Sequence, residues 1–127
     1  MKVLYSTNDC HVTFSEEALI YMRDNAHKYG LSSILEDNKI KFIKDDKEVI
    51  LPRHHPIFYD VVNELGYHKS RGKYSHFDFI DINEDYFIYN DNRGYEHILT
   101  KSELEKMCFS LSKDVYTKKE FFDKILQ

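Results

Sequence analysis

Arg53-His54-His55-Pro56 sets a guanidinium and two imidazoles directly ahead of a proline that suits the first turn of a helix. A helix N-terminus presents unpaired N–H groups and the positive end of the macrodipole, both of which attract phosphate. Guanidinium adds bidentate contact to the same oxygens. The spacing therefore predicts an anion site at Arg53 and the start of the following helix, with His54 and His55 beside it. A second basic group, Lys69, Arg71 and Lys73, falls just past the other end of that helix. A helix of about ten residues is ~15 Å long. Both groups grip one small ligand only where the loop folds back or a second subunit supplies it. Arg93, in a later turn, is a further candidate. The bland alternative for each cation is a solvated surface charge.

The same side chains bear on other chemistries. His54, His55 and His97, with Glu96 next to His97, are donors that zinc accepts. Adjacent histidines rarely share one ion and no i,i+4 pair supports them, so no metal is expected. One of the two connector histidines is expected to cap the helix instead. The four glycines, at 30, 66, 72 and 94, are too scattered for a phosphate-cradling loop, and no nucleophile elbow, H-E-x-x-H or paired C-x-x-C is present. Cys10 and His11 are sequence neighbours whose side chains diverge. No catalytic residue and no cofactor are expected.

These residues need elements to position them. Lys2 to Thr7 alternate as a first strand. Thr13-Phe14-Ser15-Glu16 fits a capping box, opening a helix with Ala18, Leu19, Met22, Ala26 and Tyr29 on one face and Gly30 as its stop. Ile40–Phe42 and Glu48–Leu51 flank a polar turn and predict a hairpin. Ile57, Phe58, Val61, Val62 and Leu65 recur at helical spacing up to Gly66, and a basic loop follows over Tyr67–Ser75. Segments His76–Ile82, Tyr86–Tyr89 and Tyr95–Leu99 are separated by turn formers and predict a three-strand meander. Thr100-Lys101-Ser102-Glu103 and Thr117-Lys118-Lys119-Glu120 are capping-box matches that predict two C-terminal helices. The fold class is α+β: an antiparallel sheet built of hairpin and meander, with helices packed on it. One domain spans 1–127, with an α+β core over 1–99 and the helical pair over 100–127.

The 127 residues suit a single core, with 42% hydrophobic and 31% charged residues. Eighteen Lys and Arg against 22 Asp and Glu give a net charge of −4. That balance disfavours indiscriminate binding to a nucleic-acid polymer or an anionic membrane. No apolar run approaches the ~18 residues of a membrane span, and the apolar start is too short for a secretory signal. Two cysteines give no disulfide framework, so a reduced, cytoplasmic protein is expected. Aromatics reach 15%, as ten Tyr and nine Phe with no Trp, a composition that suits a sheet-rich core with tyrosines at its rim.

From the first helix to the last strand the chain resembles a widespread family of short bacteriophage and bacterial proteins. That family opens its first helix with Leu-Ser-x-Glu-Ala, matched here by Phe14-Ser15-Glu16-Glu17-Ala18. It continues with an Arg-x-Asp-Pro connector and a Val-Val-Glu-Glu-Leu-Gly helix end. Arg53-His54-His55-Pro56 and Val61-Val62-Asn63-Glu64-Leu65-Gly66 are similar to these, and Phe87-Ile88-Tyr89 through Gly94-Tyr95-Glu96-His97-Ile98 is similar to its strand with a Tyr-x-Ile-x-x-Tyr-Asp-Gly-x-Glu-type end. The likeness covers most of 1–99. Departures are the glycine-poor loop Asp9-Cys10-His11-Val12, His55 in place of the connector aspartate, and a helical tail in place of the family's terminal His-Arg-Thr-Trp.

In size and type the chain is also similar to counter-defence proteins such as the Thoeris anti-defence sponges. The resemblance implies a phage-type protein that binds a small nucleotide-derived immune signal, cyclic ADP-ribose-like or a cyclic oligonucleotide, in the bacterial host cytoplasm without cleaving it. Under that reading Arg53 holds phosphate, Tyr86, Phe87 or Tyr89 stacks the base, and Asn90, Asn92 and Arg93 contact ribose or phosphate. Enclosing such a ligand suggests a pocket between subunits, hence a homo-oligomer. Arg53→Glu is expected to abolish capture while leaving thermal stability nearly intact. Two alternatives stand beside it. One is an inhibitor of a host defence protein using the acidic stretch Asp78–Glu96, which carries six acids and one arginine. The other is an enzyme degrading such a signal with His54, His55 or His97 as general acid or base.

Overall fold

Ser15, two residues after the expected Thr13, caps the first helix: its backbone is extended and its hydroxyl accepts from the Ala18 N–H at 3.1 Å. Thr13 cannot take that role because Phe14 forms an isolated antiparallel bridge with Arg71, holding the chain extended up to the cap. The computed structural model describes residues 1–111, and the helix expected from Thr117 lies outside them. In order the elements are β1 (Lys2–Ser6), α1 (Glu16–Asn25), a 3-10 turn (Ala26–Tyr29), β2 (Ser32–Glu36), β3 (Lys39–Lys44), β4 (Lys47–Val49), α2 (Pro56–Leu65), α3 (Tyr67–Ser70), β5 (Phe77–Asp81), β6 (Tyr86–Asn90), β7 (Glu96–Thr100) and α4 (Lys101–Leu111). The class is α+β with antiparallel pairing throughout.

Strand partners differ from the expected hairpin and meander. The meander is β2-β3-β4, where β2 joins the two strands expected to form a hairpin. Ser32-Ser33 and Glu36-Asp37-Asn38 give β2 the look of a loop, which hides it. Asp37-Asn38 and Asp45-Asp46 each adopt positive φ, as two-residue hairpin turns require. β5 pairs with β1, from Lys2↔Asp81 to Ser6↔Phe77, and leaves β6-β7 as a separate hairpin. The pairing continues past the strand where Ile82 N–H donates to the Met1 carbonyl, while Lys2 Nζ meets Asp81 at 2.6 Å. It also turns Phe77, fully buried, toward the helices, which a β5-β6 hairpin would not need to do.

Leu4, Ala18, Leu19, Met22, Ala26, Leu31, Phe42, Ile57, Val61, Val62 and Phe77 form the main core. Residues on a strand alternate between faces. Leu4 accordingly joins that core while Val3, equally buried, faces away from it. Ile82, Leu99 and Leu104 are also buried outside the main cluster. Among the described residues the β6-β7 hairpin and α4 thus rest on a smaller apolar set than the main core. Thr100 caps α4, its hydroxyl accepting from the Glu103 N–H at 3.2 Å, and Glu84 accepts from the Ser102 N–H.

Candidate functional site

The connector between β4 and α2 runs along the outer edge of β1. Leu4 N–H donates to the Arg53 carbonyl at 3.0 Å, and Arg53 Nη1 donates back to the Leu4 carbonyl at 3.2 Å. This fixes the Arg53 side chain against β7. Its Nη1 and Nη2 reach the two oxygens of Glu96 at 2.9 and 2.8 Å, a bidentate pair. Ser6 N–H donates to the same carboxylate at 2.8 Å. Burial alone would raise the Glu96 carboxyl, but the Arg53 and Ser6 donors outweigh it and hold the group below its ordinary range. A phosphate at Arg53 therefore competes with a carboxylate already in place.

The α2 N-terminus is closed as well. His55 is its N-cap, with Nδ1 accepting from the Ile57 N–H at 3.2 Å, and Pro56 has no N–H to offer. Phe58 N–H goes to the His55 carbonyl at 3.3 Å. The His55 ring packs edge-on against Tyr29 and Phe58, and burial, followed by the charge of His54, lowers its pKa. Tyr29 donates in turn to Asp60. One connector histidine thus caps the helix, and it is the second.

His54 turns the other way, onto β6. Its Nδ1 lies 2.7 Å from the Tyr86 hydroxyl, and the two rings meet edge to face. Burial raises the Tyr86 phenol above its ordinary value. Alternation along β6-β7 sorts the remaining candidates. Tyr86, Ile88 and Asn90 share a face with Glu96, whereas Phe87 and Tyr89 share the opposite face with His97 and Leu99. Tyr89 and His97 stack at 5.2 Å, and His97 Nε2 lies 2.8 Å from Asp91. Asp91 is held well below the usual carboxylate range, chiefly by His97 and further by the Arg93 and Tyr95 N–H groups.

Where the connector meets β6 an open depression of about 710 Å³ forms, lined by Pro52, Arg53, His54, Asp85, Tyr86, Phe87, Ile88 and Met1. Arg53, His54 and Phe87, three of the candidate ligand residues, come together there with Tyr86. The others stand elsewhere. His55 sits inside the α2 cap. Arg71 donates to the Phe77 carbonyl at 3.0 Å and lies over the Tyr67 and Phe77 rings. Tyr89 is against His97, and Asn90, Asn92 and Arg93 occupy the turn end of the hairpin, where Arg93 bonds Asp91 and covers Tyr95. In the sequence Asp85 is a turn former and one of the six acids of Asp78–Glu96, and nothing there singles it out as lining a depression with Arg53 and His54. The sequence offers Glu96 as a donor beside His97 and as the end of the acidic stretch, not as the partner of Arg53. The Glu96 signal was positional: an acid paired across β6-β7 with Asn90 on a face that also carries Ile88 and Ile98.

Among the described residues no group of three or more His, Cys, Asp or Glu is placed to hold a metal ion, and no helix is long and apolar enough to cross a membrane. No family model matches the chain, and neither a curated protein nor a solved structure does.

Proposed function

We propose that this protein binds and sequesters a small nucleotide-derived immune signal, of the cyclic ADP-ribose or cyclic-oligonucleotide kind, without cleaving it, as a phage-type counter-defence protein. The observation that carries the reading is the depression between the connector and β6. It unites an exposed aromatic rim, a half-buried imidazole and a guanidinium in one concavity of about 710 Å³. That volume falls within the ~300–1,000 Å³ of small-molecule sites, and the mixture of apolar wall and few polar groups is the one such sites use.

The acidic-mimic alternative draws less support. Asp78 accepts from Tyr67, Asp81 pairs with Lys2, Glu84 takes the Ser102 N–H, Asp91 is bonded to His97, and Glu96 holds Arg53. Five of the six acids thus have partners within the protein, and Lys2 and Arg53 neutralise Asp81 and Glu96.

Capture and release tests the proposal. Purified protein is mixed with a panel of cyclic ADP-ribose isomers and cyclic oligonucleotides, and free ligand is quantified after filtration. The expected result is depletion of one compound and its return, unchanged in mass, after heat denaturation. A compound that returns altered makes the protein an enzyme. No depletion across the panel overturns sequestration of these signals.

A further inference from the structure

Five non-glycine residues among the described ones adopt positive φ. Four of them, Asp37, Asn38, Asp45 and Asp46, are of the short polar type that tolerates it. The fifth is Tyr74, at φ +66°. Its turn is pinned to residues 8–13. Gly72 N–H donates to the Thr13 carbonyl at 3.0 Å, and Asn8 Nδ2 donates to the Tyr74 carbonyl at 3.0 Å. Ser75 Oγ donates to the His11 carbonyl and accepts from the Thr13 N–H, both at 3.1 Å. Ser75 is buried, whereas Tyr74 beside it is 72% exposed. The Tyr74 ring pairs with no other aromatic among the described residues, and the Lys73 ammonium sits 5.1 Å from its centre.

A left-handed tyrosine gives up local stability, and a ring so exposed returns little of it through packing. What the strain secures is a rigid aromatic held out from the surface, the kind of side chain that anchors interfaces at small entropic cost. The surround carries both signs. Lys69 and Lys73 are exposed and have no ion-pair partner among the described residues, and no acid falls between Tyr67 and His76. Beside them the chain bridges Phe14 to Arg71, and two residues later come Glu16 and Glu17, both exposed in the first turn of α1. Asp9, exposed as well, follows Asn8. An all-acidic partner would meet these carboxylates as well as the lysines. A second copy of the same face, turned about a two-fold axis, can set each sign against its opposite.

We propose that this face is where two copies of the chain meet. Tyr74 of each copy packs against the other's loop, and Lys69 and Lys73 face Glu16 and Glu17 of the second copy. None of the residues that line the depression takes part, so each copy keeps its candidate site open.

Sedimentation equilibrium of the full chain from about 1 μM to about 1 mM tests it. A monomer–dimer equilibrium is expected, and added salt should weaken it by screening the opposed charges. Tyr74→Gly should weaken association by about tenfold or more. In dilute solution, where both are monomeric, that variant should melt within a few degrees of the unaltered chain, since it relieves the backbone and removes little packing. A melt on the order of 10 °C lower would make the ring structural and overturn the inference. Lys69→Glu/Lys73→Glu and Glu16→Lys/Glu17→Lys, each shown by its melt to be folded, should fail to self-associate, and an equimolar mixture of the two should form a heterodimer. A chain that stays monomeric across the range would equally overturn the inference. So would a dimer indifferent to Tyr74→Gly, or folded charge variants that do not pair when mixed.

Discussion

The Glu96 carboxylate has a side chain only 6% exposed and accepts from Arg53 Nη1, Arg53 Nη2 and Ser6 N–H, while Arg53 is one-third exposed at 33%. Removing one partner of a buried pair costs ~3–5 kcal/mol because the other charge is stranded. Arg53 is partly in water, which brings the cost below that range, so Arg53→Ala should cost about 2–3 kcal/mol. Thermal melts should show a drop on the order of 10 °C. Arg53→Glu should be worse, since two carboxylates would then face each other. This corrects the expectation that Arg53→Glu spares stability: the sequence shows a cation before a helix, but its anion lies 43 residues away. The same pair sets an acid limb. Glu96 is held below its unfolded value of ~4.3, so its contribution is present above that pH and lost as pH falls through the lower folded value. Melts between pH 3 and 6 should lose this part of their pH slope in Glu96→Gln.

Local signals carried the elements further than they carried the pairings. The apolar spacing from Ile57 to Leu65 and the Gly66 stop gave α2 its observed ends, because one amphipathic helix is decided by its own residues. β2 and the β1-β5 pair were not legible. Pairing depends on which distant strand buries Phe77, and nothing near residue 77 names residue 6. The α3 turn is a similar case, sealed by a contact with no local mark. Gly72 N–H donates to the Thr13 carbonyl at 3.0 Å, and a Cβ on Gly72 would lie 2.2 Å from Thr13 Oγ1, 2.9 Å from its Cβ and 3.1 Å from its backbone carbon. Rotating the threonine relieves only the first of these. Gly72→Ala should therefore destabilise by about 1–3 kcal/mol through overpacking. Denaturant midpoints check this, with Gly72→Ala/Thr13→Ala recovering part of the loss.

Among the described residues the candidate site straddles a boundary between a large core and a small one. Its connector side belongs to the main cluster, since Ile57, Val61 and Val62 of α2 anchor the residues just after His55. Its β6 side belongs to a two-stranded hairpin, and such a hairpin has marginal stability alone. That hairpin is tied to the rest by Arg53–Glu96, Ser6–Glu96, His54–Tyr86 and the buried Leu99. Local opening follows the least-buried cooperative unit. Native-state hydrogen exchange should therefore find β6-β7 amides opening at lower free energy than those of α1, α2 and β1-β5. Glu96→Ala should widen the gap, because it cuts two of the ties while leaving Leu4, Phe77 and the helices packed. Uniform loss of protection across all elements in that variant would show a single cooperative unit instead. The distinction matters for binding. A ligand held in the depression touches both the connector and β6, so it should raise β6-β7 protection selectively, at amides distant from any ligand contact. If only directly contacted amides change, the hairpin is held as firmly as the core before ligand arrives.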